Sequence, residues 1–147
     1  MHSESSMDRR LTHREKEGIR ILDLRGQLQA GDSESTLRSA ISALARDNVI
    51  HIVLNLAEVT KIDSDGLEAL VLCHTQIQKR GGTLKLERLN LEDLSLNVLT
   101  KLNTVFEVFA DEQDAVNSFF PGRATRPYDI LEWVQEQEKH ADPASQD

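Results

Sequence analysis

The chain has 147 residues, which suits one globular domain with terminal tails rather than two domains. Asp and Glu number 25 against 17 Lys and Arg, and the resulting net charge of −8 argues against nonspecific binding of nucleic acid or anionic membranes. A single cysteine, Cys73, excludes an intramolecular disulfide. Because we find neither a secretion signal nor the roughly 18 consecutive apolar residues of a membrane-spanning helix, we expect a cytoplasmic protein without membrane insertion.

The amino-terminal part predicts a hairpin after a short tail. Residues 1–8 are polar and lack periodicity, so we assign them to a loose terminus. Residues 10–15 and 19–24 alternate apolar and polar side chains around a short turn, which is typical of two half-buried strands. We expect Gly26 to end the second strand.

A helix and a buried strand follow the hairpin. In the polar loop after Gly26, either Asp32 or Ser33 would cap the helix. The apolar stripe of that helix consists of Leu37, Ile41, Leu44 and Ala45. Residues 48–56 form a nearly continuous apolar run with many β-branched side chains, which favours a central strand covered on both faces.

The rest of the chain continues to alternate helices and strands. Apolar residues at helical spacing begin at Leu67, and Lys79 and Arg80 stand in the last turn, where cations complement the helix dipole. The predicted elements are a helix to residue 80, a strand at 83–89, a helix at 91–102, a strand at 104–109 and a helix at 111–120 capped by Asp111. This order predicts an α/β fold, in which about five strands form a central sheet flanked by helices.

The carboxyl-terminal segment differs in composition from the rest. Residues 121–127 resemble a linker, and residues 128–140 predict an amphipathic helix. We therefore divide the chain into a tail at 1–8, a domain at 9–120, and a linker with an acidic amphipathic tail at 121–147. Since a short helix is marginal in water without a surface to cover, we predict that Tyr128 and Trp133 pack against the domain.

The stretch "KIDSDGLEAL" at residues 61–70 carries the clearest functional signal. It places Ser64 between Asp63 and Asp65, directly before Gly66, where a strand gives way to a helix. The simplest interpretation is that these residues cap the helix. The alternative is that the Ser64 hydroxyl is modified, because the unpaired N–H groups of a helix start are a suitable environment for phosphate.

A phosphate at Ser64 would enter a negatively charged surface. It adds about −1.5 to −2 charges. The helix dipole would stabilise it by roughly 0.3 to 1 kcal/mol, whereas repulsion from Asp63, Asp65 and Glu68 is roughly 2 to 4 kcal/mol before salt screening. We therefore expect phosphorylation to change what the surface binds, with little refolding of the domain.

Two stretches carry a family resemblance. "HIVLNLAEVTKIDSDGLEALVLCHTQIQKRGGTLKL" at residues 51–86 closely resembles the STAS domain of bacterial anti-sigma factor antagonists, in which a strand runs into Asp-Ser-x-Gly-Leu and then a helix that ends in Gly-Gly. "TKLNTVFEVFADEQDAVNSF" at residues 100–119 resembles the end of that domain. The likeness covers roughly residues 8 to 120.

The resemblance implies a STAS fold, no catalytic activity and no cofactor. In that family, an anti-sigma factor that is also a serine kinase phosphorylates the serine after the motif aspartate, and the unmodified antagonist binds this partner and frees the sigma factor. The implied phosphoacceptor is Ser64. The implied partner-binding residues are Asp63, Asp65, Gly66, Leu67, Glu68, Gln29 and Asp32.

The sequence departs from the family pattern at three places. Asp65 replaces a residue that is commonly small or hydroxylated, and Glu68 replaces a frequent glycine. In the loop after the second strand, the acidic residue of the family has no clean match, because Gln29 lies near its position and Asp32 is displaced. An alternative is therefore a STAS scaffold that is never phosphorylated and uses Asp65 as a fixed charge, or a small subunit of a transport or signalling complex.

Other assignments are weaker. The acidic residues around Ser64 are more typical of helix-dipole complements than of a metal site, and His13, His51 and His74 have no paired zinc spacing. Cys73 and His74 are helix neighbours that point apart, which argues against a nucleophile and base pair. We expect no metal site and no enzyme activity, and we leave open whether the chain forms a homo-oligomer.

Overall fold

The computed structural model describes residues 10–136. Its strands are β1 (Leu11–Lys16), β2 (Ile19–Leu28), β3 (His51–Ile62), β4 (Thr83–Glu87) and β5 (Val108–Phe109). Its helices are α1 (Asp32–Arg46), α2 (Ser64–Lys79), α3 (Leu96–Val105) and α4 (Glu112–Asn117), followed by a carboxyl-terminal helix, α5, that is described over residues 130–136.

The five strands form one mixed sheet in the order β1-β2-β3-β4-β5. β1 pairs with β2 in the antiparallel sense, while the other neighbours are parallel and are joined through helices. The strand order therefore follows the chain order. The predicted α/β architecture, with about five strands and flanking helices, is confirmed.

The side chains of the sheet alternate between two apolar layers because successive residues of a strand point to opposite faces. Leu22, Leu54 and Leu86 belong to the larger layer, which also contains the buried stripes of α1, α2 and α3. The smaller layer lies on the other face and contains Ile19, Ile21, Val53 and Phe109 of the sheet with Ala115 and Val116 of α4. The short helix α4 thus covers the second face of the sheet.

The predicted ends of β2 and β3 are wrong. β2 continues past Gly26, which has a φ of 89°, to Leu28, and β3 continues to Ile62 instead of ending at residue 56. The two strands remain paired over this extension through irregular register, so that Leu28 lies opposite Ile62. β-Bulges and a glycine with positive φ allow this polar stretch to remain paired between β2 and β3. The apolar pattern of the sequence does not reveal such irregularities.

Several smaller boundaries also differ. The N-cap of α1 is Gly31, without a side-chain cap, so the predicted capping by Asp32 or Ser33 is wrong. The Ser33 hydroxyl instead accepts from the Gln29 amide and donates to the Gln29 carbonyl, both at 2.9 Å. The helix expected at 91–102 begins only at Leu96, after the Ser95 cap, and extends to Val105. The last strand consequently shrinks to two residues, while the Asp111 cap of α4 is confirmed.

The carboxyl-terminal segment packs on the domain. The Tyr128 amide donates to the Val108 carbonyl at 2.8 Å, at the edge strand of the sheet. Ile130 is fully buried in the larger apolar layer, and the partly buried Tyr128 and Trp133 pack against the same layer. The segment therefore completes the core, although Gln137 and the rest of the predicted helix lie outside the described residues.

We expect the substitution Ile130→Ala to destabilise the protein by about 2 to 5 kcal/mol, because it removes a buried branched side chain and leaves a cavity. The neighbouring substitution Leu131→Ala is the control, since Leu131 is 43% exposed and its truncation should change stability by no more than about 0.5 kcal/mol. Urea unfolding of both variants measures the difference. Equal effects would contradict the packing of this segment.

Candidate functional site

The carboxyl ends of β2 and β3 bring the conspicuous sequence stretch next to the loop after β2. The final register pair joins Leu28 and Ile62, and the Asp63 amide then donates to the Leu28 carbonyl at 3.2 Å. α2 begins at Ser64, and the loop at 29–31 turns away towards α1. We call the junction of this loop with residues 63–68 the acidic corner.

Asp63 holds the two halves of the acidic corner together. It is the N-cap of α2, and its Oδ1 accepts from the Gly66 amide at 2.8 Å while its Oδ2 accepts from the Ala30 amide at 3.3 Å. The hydrogen bond from Gly66, and then those from the Ala30 and Asp65 amides, keep the pKa of the Asp63 carboxyl below its ordinary value. One ionised carboxylate therefore serves both as helix cap and as clamp on the loop after β2.

Gly66 is required by the close approach of two backbone segments. A Cβ atom at this position would lie 2.2 Å from the Leu28 carbonyl oxygen and 2.8 Å from the carbonyl carbon. Both contacts are to backbone, so no side-chain rotation can relieve them. The absence of a side chain at Gly66 lets the first turn of α2 lie against the end of β2.

Ser64 lies at the first position of α2 with an exposed side chain. No residue in the described part of the chain forms a hydrogen bond with its hydroxyl. Asp65 and Glu68 are also exposed, and neither forms an ion pair with a described residue. The acidic corner therefore presents a free hydroxyl flanked by two carboxylates to solvent, on the amide-rich end of a helix.

The other predicted partner-binding residues surround the corner unevenly. Leu67 is half-buried and packs against the larger apolar layer. Gln29 directly precedes the clamped Ala30, and its side chain donates to Gln27 at 3.0 Å. Asp32 is exposed at the start of α1 and lines an open polar groove together with Gln29 and Ala30. The structure thus brings the loop and the helix start together, as the resemblance implies, while the role of these residues in binding remains a prediction.

Sequence reasoning missed one exposed apolar residue near this site. Leu72 lies two turns along α2 from Asp65 and one turn from Glu68, and it is 50% exposed. It falls outside the apolar stripe that predicted the helix. The one signal in the sequence is a large apolar residue on the otherwise polar face of that helix. Leu72 extends the exposed face of α2 beyond its acidic start.

Two alternative kinds of site, a metal centre and a Cys–His nucleophile pair, find no support in the geometry of residues 10–136. There, no group of three or more His, Cys, Asp or Glu residues is arranged to hold a metal ion. Cys73 is buried, and burial raises its pKa to about 12, which keeps the thiol protonated. His74 packs edge-on against Phe106 with ring centroids 4.9 Å apart. His74 therefore belongs to the packing between α2 and the end of α3, while Cys73 is part of the larger apolar layer.

The chain belongs to the STAS domain family, whose model matches residues 10–115. The match spans both elements of the acidic corner, the loop after β2 and the start of α2. α5 and the segment before it lie beyond the match.

Solved structures share this fold. A protein from Thermotoga maritima described as a candidate anti-sigma factor antagonist aligns with a TM-score of 0.66 and 19% identity, over 76% of this chain and 96% of that one. The anti-sigma factor antagonist SpoIIAA in its unphosphorylated form aligns with a TM-score of 0.60 and 14% identity, over 77% and 99% of the two chains. The phosphorylated form of SpoIIAA from Bacillus gives 0.56 and 16%, over 74% and 98%.

The same fold also occurs inside a larger membrane protein. The murine anion transporter Slc26a9 aligns with a TM-score of 0.53 and 19% identity, over 70% of this chain but only 18% of the transporter. Among the helices described here, none combines the length and the apolar character needed to cross a membrane.

We predict that Gly66→Ala destabilises the protein by about 1 to 3 kcal/mol, because the new methyl group must displace the end of β2 or the first turn of α2. Ser64→Ala is the control, since its exposed side chain should change stability by no more than about 0.5 kcal/mol. Thermal unfolding of the two variants measures this difference. A neutral Gly66→Ala would show that the close approach is dispensable.

The clamp made by Asp63 predicts a pH dependence. Because the folded-state pKa of Asp63 is lowered, its contacts stabilise the corner above the ordinary value of 3.8 and are lost as the pH falls through the lower folded-state value. The Gly66 and Ala30 amide signals in NMR spectra should therefore titrate together with a midpoint below 3.8. Asp63→Asn should abolish this shared titration, and separate midpoints for the two amides would contradict a single clamp.

Proposed function

We propose that the chain is an anti-sigma factor antagonist that binds an anti-sigma factor/serine kinase partner and is switched by phosphorylation at Ser64. The observation that carries the proposal is the position of the Ser64 hydroxyl. This hydroxyl is exposed, and no residue that the structure describes forms a hydrogen bond with it. It lies on the first residue of α2, whose start is fixed by the Asp63 cap and by the close approach of Gly66 to β2. Such a hydroxyl is accessible to a kinase without local unfolding.

The comparisons support the same proposal at the level of fold and family. SpoIIAA has been solved in unphosphorylated and phosphorylated forms, so a domain of this fold accepts the modification. The corresponding state of this chain would place a phosphate beside Asp65 and Glu68. Repulsion between the phosphate and these two carboxylates would exceed the stabilisation available from the helix dipole. The modified surface would consequently reject a partner that the unmodified surface binds.

The rigidity of the acidic corner determines how this switch operates. Asp63 and Gly66 connect the start of α2 to backbone atoms of Leu28 and Ala30, so the added charge has no loose segment to rearrange. The charge therefore alters the affinity of a fixed surface, which contains the helix start and the loop after β2. An energy change of about 1.4 kcal/mol at such a surface alters affinity tenfold.

A second candidate function rests on Asp65. Its exposed carboxylate stands next to Ser64 and supplies a permanent charge where the switch would add one. In this alternative, the chain is a STAS scaffold that binds its partner without a phosphorylation cycle, or a small subunit of a transport or signalling complex. The match to a domain of Slc26a9 shows that the fold also serves within a transporter.

We expect the serine kinase that co-purifies with the full chain to add one phosphoryl group in the presence of magnesium and ATP, as measured by intact mass. Ser64→Ala should remain unmodified, whereas Ser39→Ala should be modified like the wild type, since Ser39 is another exposed helical serine. Phosphorylation should weaken binding to the kinase about tenfold or more.

Two outcomes would overturn the switch. The first is a wild-type chain that binds the co-purified partner but accepts no phosphate, and the second is modification that persists in Ser64→Ala. A further variant separates the alternatives: if Asp65→Ser becomes phosphorylated and loses its partner while the wild type does neither, Asp65 is the fixed charge of a scaffold.

A further inference from the structure

A polar row crosses the face of the sheet that α4 covers. Asp23 of β2 lies opposite Asn55 of β3, and Asn55 lies opposite Glu87 of β4. The Asn55 side-chain amide donates to Asp23 Oδ1 at 2.7 Å. The row ends beneath the first residue of α4, Glu112, which is itself buried. A second set of titratable groups therefore lies outside the acidic corner.

Arg14 satisfies two of the carboxylates in this set. Its guanidinium donates to both oxygens of Asp23, at 2.7 and 3.0 Å, and to both oxygens of Glu112, one of them at 2.7 Å. Lys16 lies 3.8 Å from Glu112 Oε2. The hydrogen bonds from Arg14 to Glu112, and then the Arg14 charge, hold the pKa of Glu112 below its ordinary value. Glu112 is therefore ionised at neutral pH.

Among residues 10–136, no cation forms an ion pair with Glu87. Its exposed fraction is 0%, and none of the residues that the structure describes donates a hydrogen bond to either of its oxygens. Burial, then a side-chain hydrogen bond with Glu112 and the charge of that residue, raise the pKa of Glu87. Two ionised carboxylates can only accept hydrogen bonds, so their contact in a buried site would be repulsive. A protonated Glu87, by contrast, donates its O–H to the ionised Glu112.

The remaining charged groups on the surrounding elements leave this assignment unchanged. Lys85, on the same face of β4, is occupied by the Ser118 hydroxyl and by Glu107, both at 2.8 Å. Arg88 is exposed and acts on Glu87 only through its field. Asp111 caps the start of α4 and Asp114 lies in its first turn, so both add negative charge near Glu112. The proton thus belongs on Glu87, where burial and the Glu112 carboxylate both raise the pKa.

We propose that Glu87 and Glu112 share one proton that holds α4 on the sheet, and that loss of this proton at alkaline pH loosens α4. α4 packs on β4 and β5 and supplies Ala115 and Val116 to the smaller apolar layer. Ionisation of Glu87 would place two negative charges in contact between the helix and the sheet. Opening would relieve this repulsion and expose Ile21, Val53 and Phe109.

The direction of the pH effect follows from linkage. Glu87 holds its proton more tightly in the folded chain than in the unfolded chain, where its ordinary pKa is 4.5. Stability from this group is complete below that value and is lost as the pH rises through the folded-state pKa. Cys73, whose pKa is raised to about 12, and Tyr128, whose pKa is also raised by burial, do not ionise between pH 7 and about 9.5.

Amide hydrogen exchange of the full chain between pH 7 and about 9.5 tests whether the shared proton holds α4 on the sheet. Opening that releases one proton makes the open fraction rise up to tenfold per pH unit, in addition to the intrinsic acceleration of exchange. We expect this excess at Ala115 and Val116 in the wild type. Glu87→Gln should remove it, because the glutamine amide donates permanently to Glu112. Glu58→Gln is the control, since Glu58 is 68% exposed and should leave the excess unchanged.

Carbon-13 NMR of the glutamate carboxyl groups gives an independent reading on the wild type. The Glu87 signal should remain that of a protonated acid at pH 7 and should titrate at alkaline pH. A Glu87 signal that titrates near 4.5, or an exchange excess that persists in Glu87→Gln, would overturn the proposal. Because this test involves neither Ser64 nor a partner, its failure leaves the proposed switch untouched.

Discussion

The contact between Gly66 and the Leu28 carbonyl sets the geometry on which the acidic corner depends. Parallel strands that end together bring their following loops to the same edge of the sheet, but they do not by themselves fix the distance between those loops. Here the missing side chain of Gly66 allows van der Waals contact with the end of β2, and Asp63 then bridges to Ala30. These contacts fix the position of the helix start that carries the exposed hydroxyl of Ser64.

The two faces of the sheet differ in composition. One face carries most of the apolar core, together with three long helices and α5. The other face carries a smaller apolar layer and the polar row that ends at Glu87 and Glu112. Burying carboxylates is costly unless they are paired or neutral, and Arg14 can pair with only part of this set. The structure therefore requires a neutral acid at Glu87, under the shortest packed helix.

The sequence predicted the elements where periodicity was long and the caps were local. Asp111 and the stripe beginning at Leu67 are examples, since a cap or a helical face depends on residues within one or two turns. The extension of β2 and β3 to Leu28 and Ile62 was missed because it depends on bulges and on pairing between strands distant in sequence. α1 begins without a side-chain cap because its N-cap is Gly31, and Ser33, inside the helix, bonds to Gln29 instead.

The candidate site followed a similar division. Ser64, Asp63 and Gly66 could be singled out from one short stretch, because their roles are concentrated at the start of one helix. The partners that fix their positions, the Leu28 carbonyl and the Ala30 amide, are backbone atoms more than thirty residues away along the chain, and backbone atoms leave no mark in a sequence. Glu87 was equally invisible, since a glutamate at a strand end is usually solvated.

A rigid corner is well suited to a switch that works through charge. If the start of α2 were mobile, a phosphate could be accommodated by rearrangement, and much of its repulsion would be lost to that relaxation. The hydrogen bonds and the backbone contact around Asp63 and Gly66 oppose such relaxation, so in the proposed switch most of the electrostatic change would act on the surface that faces Ser64. Asp65 reduces the relative change in surface charge on phosphorylation, because part of the negative charge is present before any modification. In the proposed switch, the strength of the response to phosphorylation therefore depends on how much of the Asp65 charge the partner already tolerates.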